Sequence, residues 1–112
     1  MSQLTTHILD TTKGKPAAGV HIILYMYRNK EWIEVANGVT NNDGRVADLL
    51  KEDVVMELGR YKLRFETESY FFKQSIQTFY PFIEIVFQVA TAEHYHVPLL
   101  LNPFGYSTYR GS

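Results

Sequence analysis

Val20-His21-Ile22-Ile23-Leu24-Tyr25-Met26-Tyr27 is an unbroken run of β-branched, aliphatic and aromatic residues. Such side chains fit the pleated surface of a strand, and the β-branched ones lose rotamer freedom in a helix. On a strand, Val20, Ile22, Leu24 and Met26 point to one face, and His21, Ile23, Tyr25 and Tyr27 to the other. Both rows are largely apolar, which predicts cover on both faces.

The chain on either side repeats this theme between turn signals. Leu4 to Asp10, Trp32 to Val39, Ile83 to Val89, Tyr95 to Leu101 and Tyr106 to Arg110 read as short strands. Tyr61 to Glu66 alternates, with Tyr61, Leu63 and Phe65 against Lys62, Arg64 and Glu66, as a half-solvated strand does. Turns are marked by Thr11 to Pro16, by Arg28 to Glu31, and most strongly by Asn41-Asn42-Asp43-Gly44, which Arg45 follows. Leu49 to Leu58 is mixed, either a short helical turn or an irregular connection. Within Glu68 to Gln77, Tyr70, Phe71 and Phe72 precede Lys73-Gln74, compatible with one short amphipathic helix, and Pro81 breaks the chain after it. The expectation is a mainly β protein: a single domain over 1–112, a β-sandwich of about seven or eight short strands with at most one or two short helices.

Composition narrows the function classes. The 112 residues are 46% hydrophobic and 21% charged, as in a globular domain. A net charge of -1 gives no electrostatic footprint for nucleic acid or an anionic membrane. The absence of cysteine excludes disulfides, thiolate metal sites and cysteine nucleophiles. No apolar run approaches the ~20 residues of a membrane span. Met1-Ser2-Gln3-Leu4 lacks the basic and apolar regions of a secretory leader, and Gly111-Ser112 is not a peroxisomal address, so a cytoplasmic location is expected.

The chemistry rests on few residues. There is no nucleophile elbow, phosphate loop, dinucleotide fingerprint or glycosidase carboxylate pair. His94 and His96 flank Tyr95 and share one face of a strand. That spacing is either half of a zinc site, which His7 could complete, or one core and one exposed histidine. His7 stands in the first strand and His21 at the start of another, the latter with no constellation around it. Arg45, directly after a tight turn, offers a rigid fork of donors at the rim of a sandwich, or is simply solvated there. The chain closes on Tyr109-Arg110-Gly111-Ser112, a set too rich in aromatic, cationic and hydroxyl groups for an idle tail.

Taken in order, Leu4-Thr5-Thr6-His7-Ile8-Leu9-Asp10, Gly14-Lys15-Pro16-Ala17, Asn42-Asp43-Gly44-Arg45, His94-Tyr95-His96-Val97-Pro98-Leu99-Leu100-Leu101 and Pro103-Phe104-Gly105-Tyr106-Ser107-Thr108-Tyr109-Arg110-Gly111-Ser112 resemble the transthyretin-related proteins. They are most similar to the enzyme branch of that family, the 5-hydroxyisourate hydrolases. The final Tyr-Arg-Gly-Ser carries most specificity, because it separates the enzymes from the hormone carriers. The resemblance implies a transthyretin-like two-sheet β-sandwich of about eight strands with one short helix between the fifth and sixth, assembled as a homotetramer (a dimer of dimers) with sites at the dimer–dimer interface. It implies hydrolysis of the N1–C6 amide of 5-hydroxyisourate to 2-oxo-4-hydroxy-4-carboxy-5-ureidoimidazoline, with no cofactor and no metal. It assigns His7, Arg45, His96 and Ser112 as catalytic and substrate-binding residues, with Tyr109 lining the pocket. His96 takes the main base role, His7 supports it, Arg45 holds the developing negative charge, and Ser112 orients a histidine or the water. The alternative is a non-enzymatic carrier of a small aromatic ligand, which would be expected to lose this set. Phe82, after Pro81, stands where many relatives carry an acidic residue, and it touches none of the assigned positions.

Overall fold

A computed structural model describes residues 2–112. The strands are β1 (Leu4–Asp10), β2 (Lys15–Pro16), β3 (His21–Arg28), β4 (Glu31–Val39), β5 (Gly59–Phe65), β6 (Ile83–Val89), β7 (Tyr95–Asn102) and β8 (Gly105–Thr108). One helix, α1 (Thr67–Phe72), lies between β5 and β6. Two four-stranded sheets form, ordered β2-β1-β7-β8 and β4-β3-β5-β6. The alternation read in the sequence is what lets them face each other. Leu4, Ile8, Leu99 and Leu101 of the first sheet meet Ile22, Leu24, Leu63 and Phe65 of the second, all essentially without solvent contact. Each such side chain contributes roughly 1.5–3 kcal/mol relative to exposure. No helix is long and apolar enough to cross a membrane among the described residues.

The helix docks through Tyr70 and Phe71. The Tyr70 hydroxyl donates to buried Asp10 Oδ2 at 2.7 Å, while Asp10 Oδ1 accepts from the Thr12 and Lys13 amides at 3.1 and 3.2 Å. Burial, reinforced by the Asp10 carboxylate, pushes the phenol up to about 12, so it remains a donor. Phe82 lies under the Arg64 guanidinium at 3.7 Å, and Arg64 also pairs with Glu66 and Glu84.

Two details differ from the sequence reading, and one open alternative is decided. Lys15–Pro16, expected as turn, forms the short edge strand β2 against Leu9 and Asp10, a place where a residue lacking N–H is tolerated. Leu49 to Leu58, open between a helical turn and an irregular connection, is the irregular connection. The last strand spans Gly105–Thr108 rather than Tyr106 to Arg110. The β7–β8 register, Asn102↔Gly105 through Leu99↔Thr108, is broken and then resumed without slippage at His96↔Gly111. Tyr109 falls opposite Pro98, which has no N–H to offer, so the ladder opens there.

Candidate active site

The site begins with a parallel strand pair. β1 runs beside β7 from Leu4↔Tyr95 to Asp10↔Leu101, which sets Thr5 level with His96. Thr5 and His7 share the face of β1 that looks away from the core, while Leu4, Thr6 and Ile8 are buried.

Arg45 is delivered by its turn. Asn41 Oδ1 accepts from the amides of Asp43 and Arg45 at 2.9 and 3.2 Å, and the Asn41 amide donates to the Arg45 carbonyl at 2.8 Å. The Gly44 carbonyl accepts from the Ile8 amide at 2.9 Å, which stitches the turn to β1 and brings Arg45 into a bridge with His7. Gly44 is required: its φ is +72°, and a Cβ there would lie 2.5 Å from the Ile8 carbonyl oxygen.

The tail arrives from the other side. The Gly111 amide donates to the His96 carbonyl at 2.8 Å. A Cβ on Gly111 would fall 2.5 Å from His96 Cδ2, so only glycine lets the tail lie against the imidazole. Arg110 is occupied elsewhere, pairing with Glu93 at 2.6 Å and lying 4.5 Å over the Tyr95 ring.

These elements enclose a cavity of about 480 Å³ whose walls include Thr5, Asn41, Arg45, His94, His96 and Ser112. Arg45, His96 and Ser112 thus line one cavity. His7 stands beside them, against Arg45 on β1. Tyr109 lies apart, 60% exposed, lining a neighbouring hollow of about 400 Å³ with Phe87, Tyr95 and the other side of His96. His21 is remote, exposed and within 3.3 Å of Asn37 Oδ1. A larger hollow of about 580 Å³, between β3, β4 and the segment after Leu49, is lined mostly by aliphatic side chains and holds no histidine.

The electrostatics suit proton transfer. Partial burial and the Arg45 guanidinium hold the His96 imidazole below its ordinary value of 6.5, with His94 and His7 adding to this and a hydrogen bond to the Thr5 backbone opposing it. Burial and Arg45 do the same to His7, against a hydrogen bond to the Asp43 backbone and the Asp43 charge. Both rings are neutral near pH 7 and able to accept a proton. The zinc alternative fares differently. His94 Nε2 and His96 Nδ1 both turn to the Thr5 hydroxyl, at 3.0 and 2.8 Å. No group of three or more His, Asp or Glu is placed to hold a metal ion among the described residues.

Thr5 and Asn41 were missed as site residues from the sequence. For Thr5 the available signal was its two-residue offset from His7, which puts both on one strand face. Its meeting with His94 and His96 depends on a pairing partner about ninety residues away.

Residues 4–111 match the HIUase/Transthyretin family model. The chain is 43% identical to the mouse 5-hydroxyisourate hydrolase over 114 aligned residues, covering 99% of this chain and 96% of that one. Its fold superposes on the Klebsiella pneumoniae 5-hydroxyisourate hydrolase with a TM-score of 0.85 at 38% identity, covering 97% and 98% of the two chains. It superposes on sea bream transthyretin, solved in complex with thyroxine, with a TM-score of 0.92 at 32% identity, covering 98% and 95%. Backbone shape is therefore shared with both the hydrolase and the thyroxine-bound transthyretin. With nearly the whole chain matched, it belongs to the HIUase/Transthyretin family.

Proposed function

We propose that the chain hydrolyses 5-hydroxyisourate at the cavity between β1, β7 and the Asn41–Arg45 turn. One observation carries the reading: a neutral-held imidazole, His96, and a guanidinium, Arg45, line one cavity of about 480 Å³, with a second neutral-held imidazole, His7, against that arginine. That volume suits a single flat, polar ring.

The chemistry follows from those groups. His96 takes a proton from water, and the resulting hydroxide attacks the C6 carbonyl carbon. The carbonyl oxygen becomes an oxyanion, and the Arg45 fork supplies charge-assisted donors where that charge develops. Collapse of the intermediate breaks the C6–N1 bond, and the proton held by His96 passes to N1. C6 becomes a carboxylic acid, which loses its proton to solvent as the carboxylate, and N1 becomes the ureido NH2, so one water is consumed and the base is regenerated. His7, beside Arg45 across the backbone bridge, supports His96 by positioning or by a second proton transfer. Ser112 positions the water or the ring of His96 from the cavity wall.

The assembly proposed with this activity is a homotetramer. Both sheets end on open strands, β6 and β8, and Val86, Tyr106 and Tyr109 on or beside them are exposed apolar or aromatic side chains. Light scattering at four times the 13.0 kDa chain mass supports this, and a monomer contradicts it.

The deciding experiment follows the ultraviolet decay of freshly generated 5-hydroxyisourate. A rate above the buffer reaction, proportional to protein, is expected. Decay no faster than in buffer refutes the hydrolase, and saturable aromatic-ligand binding in that case would establish the carrier.

A further inference from the structure

Thr5 faces two imidazoles at once. Its Oγ1 lies 2.8 Å from His96 Nδ1 and 3.0 Å from His94 Nε2. The two rings are nearly parallel, 15° apart in plane with centroids separated by 6.5 Å. Thr5 is held there by the β1–β7 register and by the Tyr95 amide donating to the Gln3 carbonyl at 2.8 Å.

A threonine hydroxyl has one hydrogen to give and lone pairs with which to accept. It cannot donate to both rings, so at least one ring presents an N–H to it, and where it accepts from both, His96 again carries its hydrogen on Nδ1. In one arrangement Thr5 donates to His94 Nε2 and accepts from His96 Nδ1–H. The remaining nitrogen of His96, Nε2, then carries a free lone pair. In the reverse arrangement Thr5 donates to His96 Nδ1, and His96 Nε2 holds a hydrogen and cannot accept one from water. With Nδ1 turned to the Thr5 hydroxyl, Nε2 is the nitrogen left for water, and a base needs that nitrogen bare. For His96 to serve as the base, the nitrogen turned toward Thr5 is therefore the protonated one.

We infer that Thr5 and His94 are positioning residues: through one shared hydroxyl they hold His96 in the Nδ1–H tautomer and leave Nε2 as the lone pair for water's proton. Without such a partner, a free histidine prefers its hydrogen on Nε2, and which nitrogen is bare is set by the hydrogen bond the other makes. Thr5 and His94 act on His96, not on the substrate. The inference rests on the hydrolase reading in which His96 is the base.

The test is a long-range ¹H–¹⁵N correlation spectrum of histidine-labelled, substrate-free protein, at a pH well above the imidazole range. It separates bare from protonated ring nitrogens, and His96→Gln assigns the His96 signals. Wild type is expected to show a bare His96 Nε2. Thr5→Val and His94→Phe are each expected to move hydrogen onto Nε2 and lower kcat by about ten-fold with KM little changed, a fraction of what a base supplies. Thr5→Ser, which keeps the hydroxyl, is expected to restore both tautomer and rate. A wild-type His96 protonated on Nε2, or a tautomer unmoved by both Thr5→Val and His94→Phe, overturns the inference. Active wild type with Nε2 protonated removes the inference and leaves the hydrolase reading. Inactive wild type with Nε2 bare removes the hydrolase reading and leaves the hydrogen-bond chain.

Discussion

Replacing Gly111 by alanine tests how closely the tail and the base are fitted. The added Cβ falls 2.5 Å from His96 Cδ2 and 3.1 Å from Pro98 Cγ. Carbon atoms normally approach to about 3.5–4.0 Å, so about 1 Å must be found somewhere. Pro98 is buried and its ring is stiff. His96 is tethered to the Thr5 hydroxyl at 2.8 Å. Either the imidazole swings off Thr5, or the tail lifts and gives up the Gly111 amide bond to the His96 carbonyl. The first displaces the base, and the second displaces Ser112 from the cavity wall. A misplacement of about 1 Å lowers turnover on the order of 100-fold, about 2.7 kcal/mol of barrier. The fold loses at most one backbone hydrogen bond near the surface, about 1 kcal/mol, or a melting shift of roughly 4–8 °C. The assay pairs initial rates of 5-hydroxyisourate decay, over a range of substrate, with thermal melts of the same preparations. Wild-type kcat/KM in Gly111→Ala would refute the reasoning. So would a loss of activity matched by a loss of folding, because the damage would then not be local.

The remaining predictions concern charge, pH and the turn. Arg45→Lys keeps the cation but loses the planar fork, so kcat should drop about 100-fold while melting is unchanged; activity within two-fold of wild type, roughly the scatter of such measurements, would remove Arg45 from the charge-holding role. With Arg45, His94 and His7 facing His96, and Arg45 and Asp43 facing His7, both imidazoles sit below 6.5. The acid limb of kcat/KM should therefore lie under pH 6.5, and a limb above it contradicts the assignment. Stability carries the same sign. The unfolded histidines take up protons at higher pH than the folded ones, so the contribution is fully present above 6.5 and is lost as pH falls through the folded values, which urea titrations at successive pH would measure. Gly44→Ala combines a left-handed φ of +72° with a Cβ 2.5 Å from a backbone oxygen; it should destabilise by about 1–3 kcal/mol, and an unchanged denaturation midpoint would show that the turn relaxes freely.

The strands were legible because their signal is local. Apolar and polar residues alternate within β5, and Ile83–Val89 and Tyr95–Asn102 are bounded by proline, glycine or polar turns that can be read in place. The Asn41–Gly44 turn was legible for the same reason, and with it the delivery of Arg45 to a rim. What escaped was of two kinds. β2 is a pair of residues that becomes a strand only because β1 offers it an edge. The end of β8 is decided by a residue on another strand, Pro98, which interrupts the ladder opposite Tyr109 and hands the tail to Gly111.

By itself, the sequence determined the sandwich class, the chemical types available and, through resemblance, the family. Side-chain period and turn chemistry act between neighbours in the chain, and a motif is a string of neighbours. Tertiary structure alone decided that Thr5 meets His94 and His96, that Gly44 and Gly111 must lack a Cβ, and that Tyr109 faces a different hollow from Arg45 and Ser112. The parallel pairing of β1 with β7 joins segments about ninety residues apart, and no local pattern names that partner. Register across that pair is what turns scattered histidines, an arginine and a threonine hydroxyl into one site.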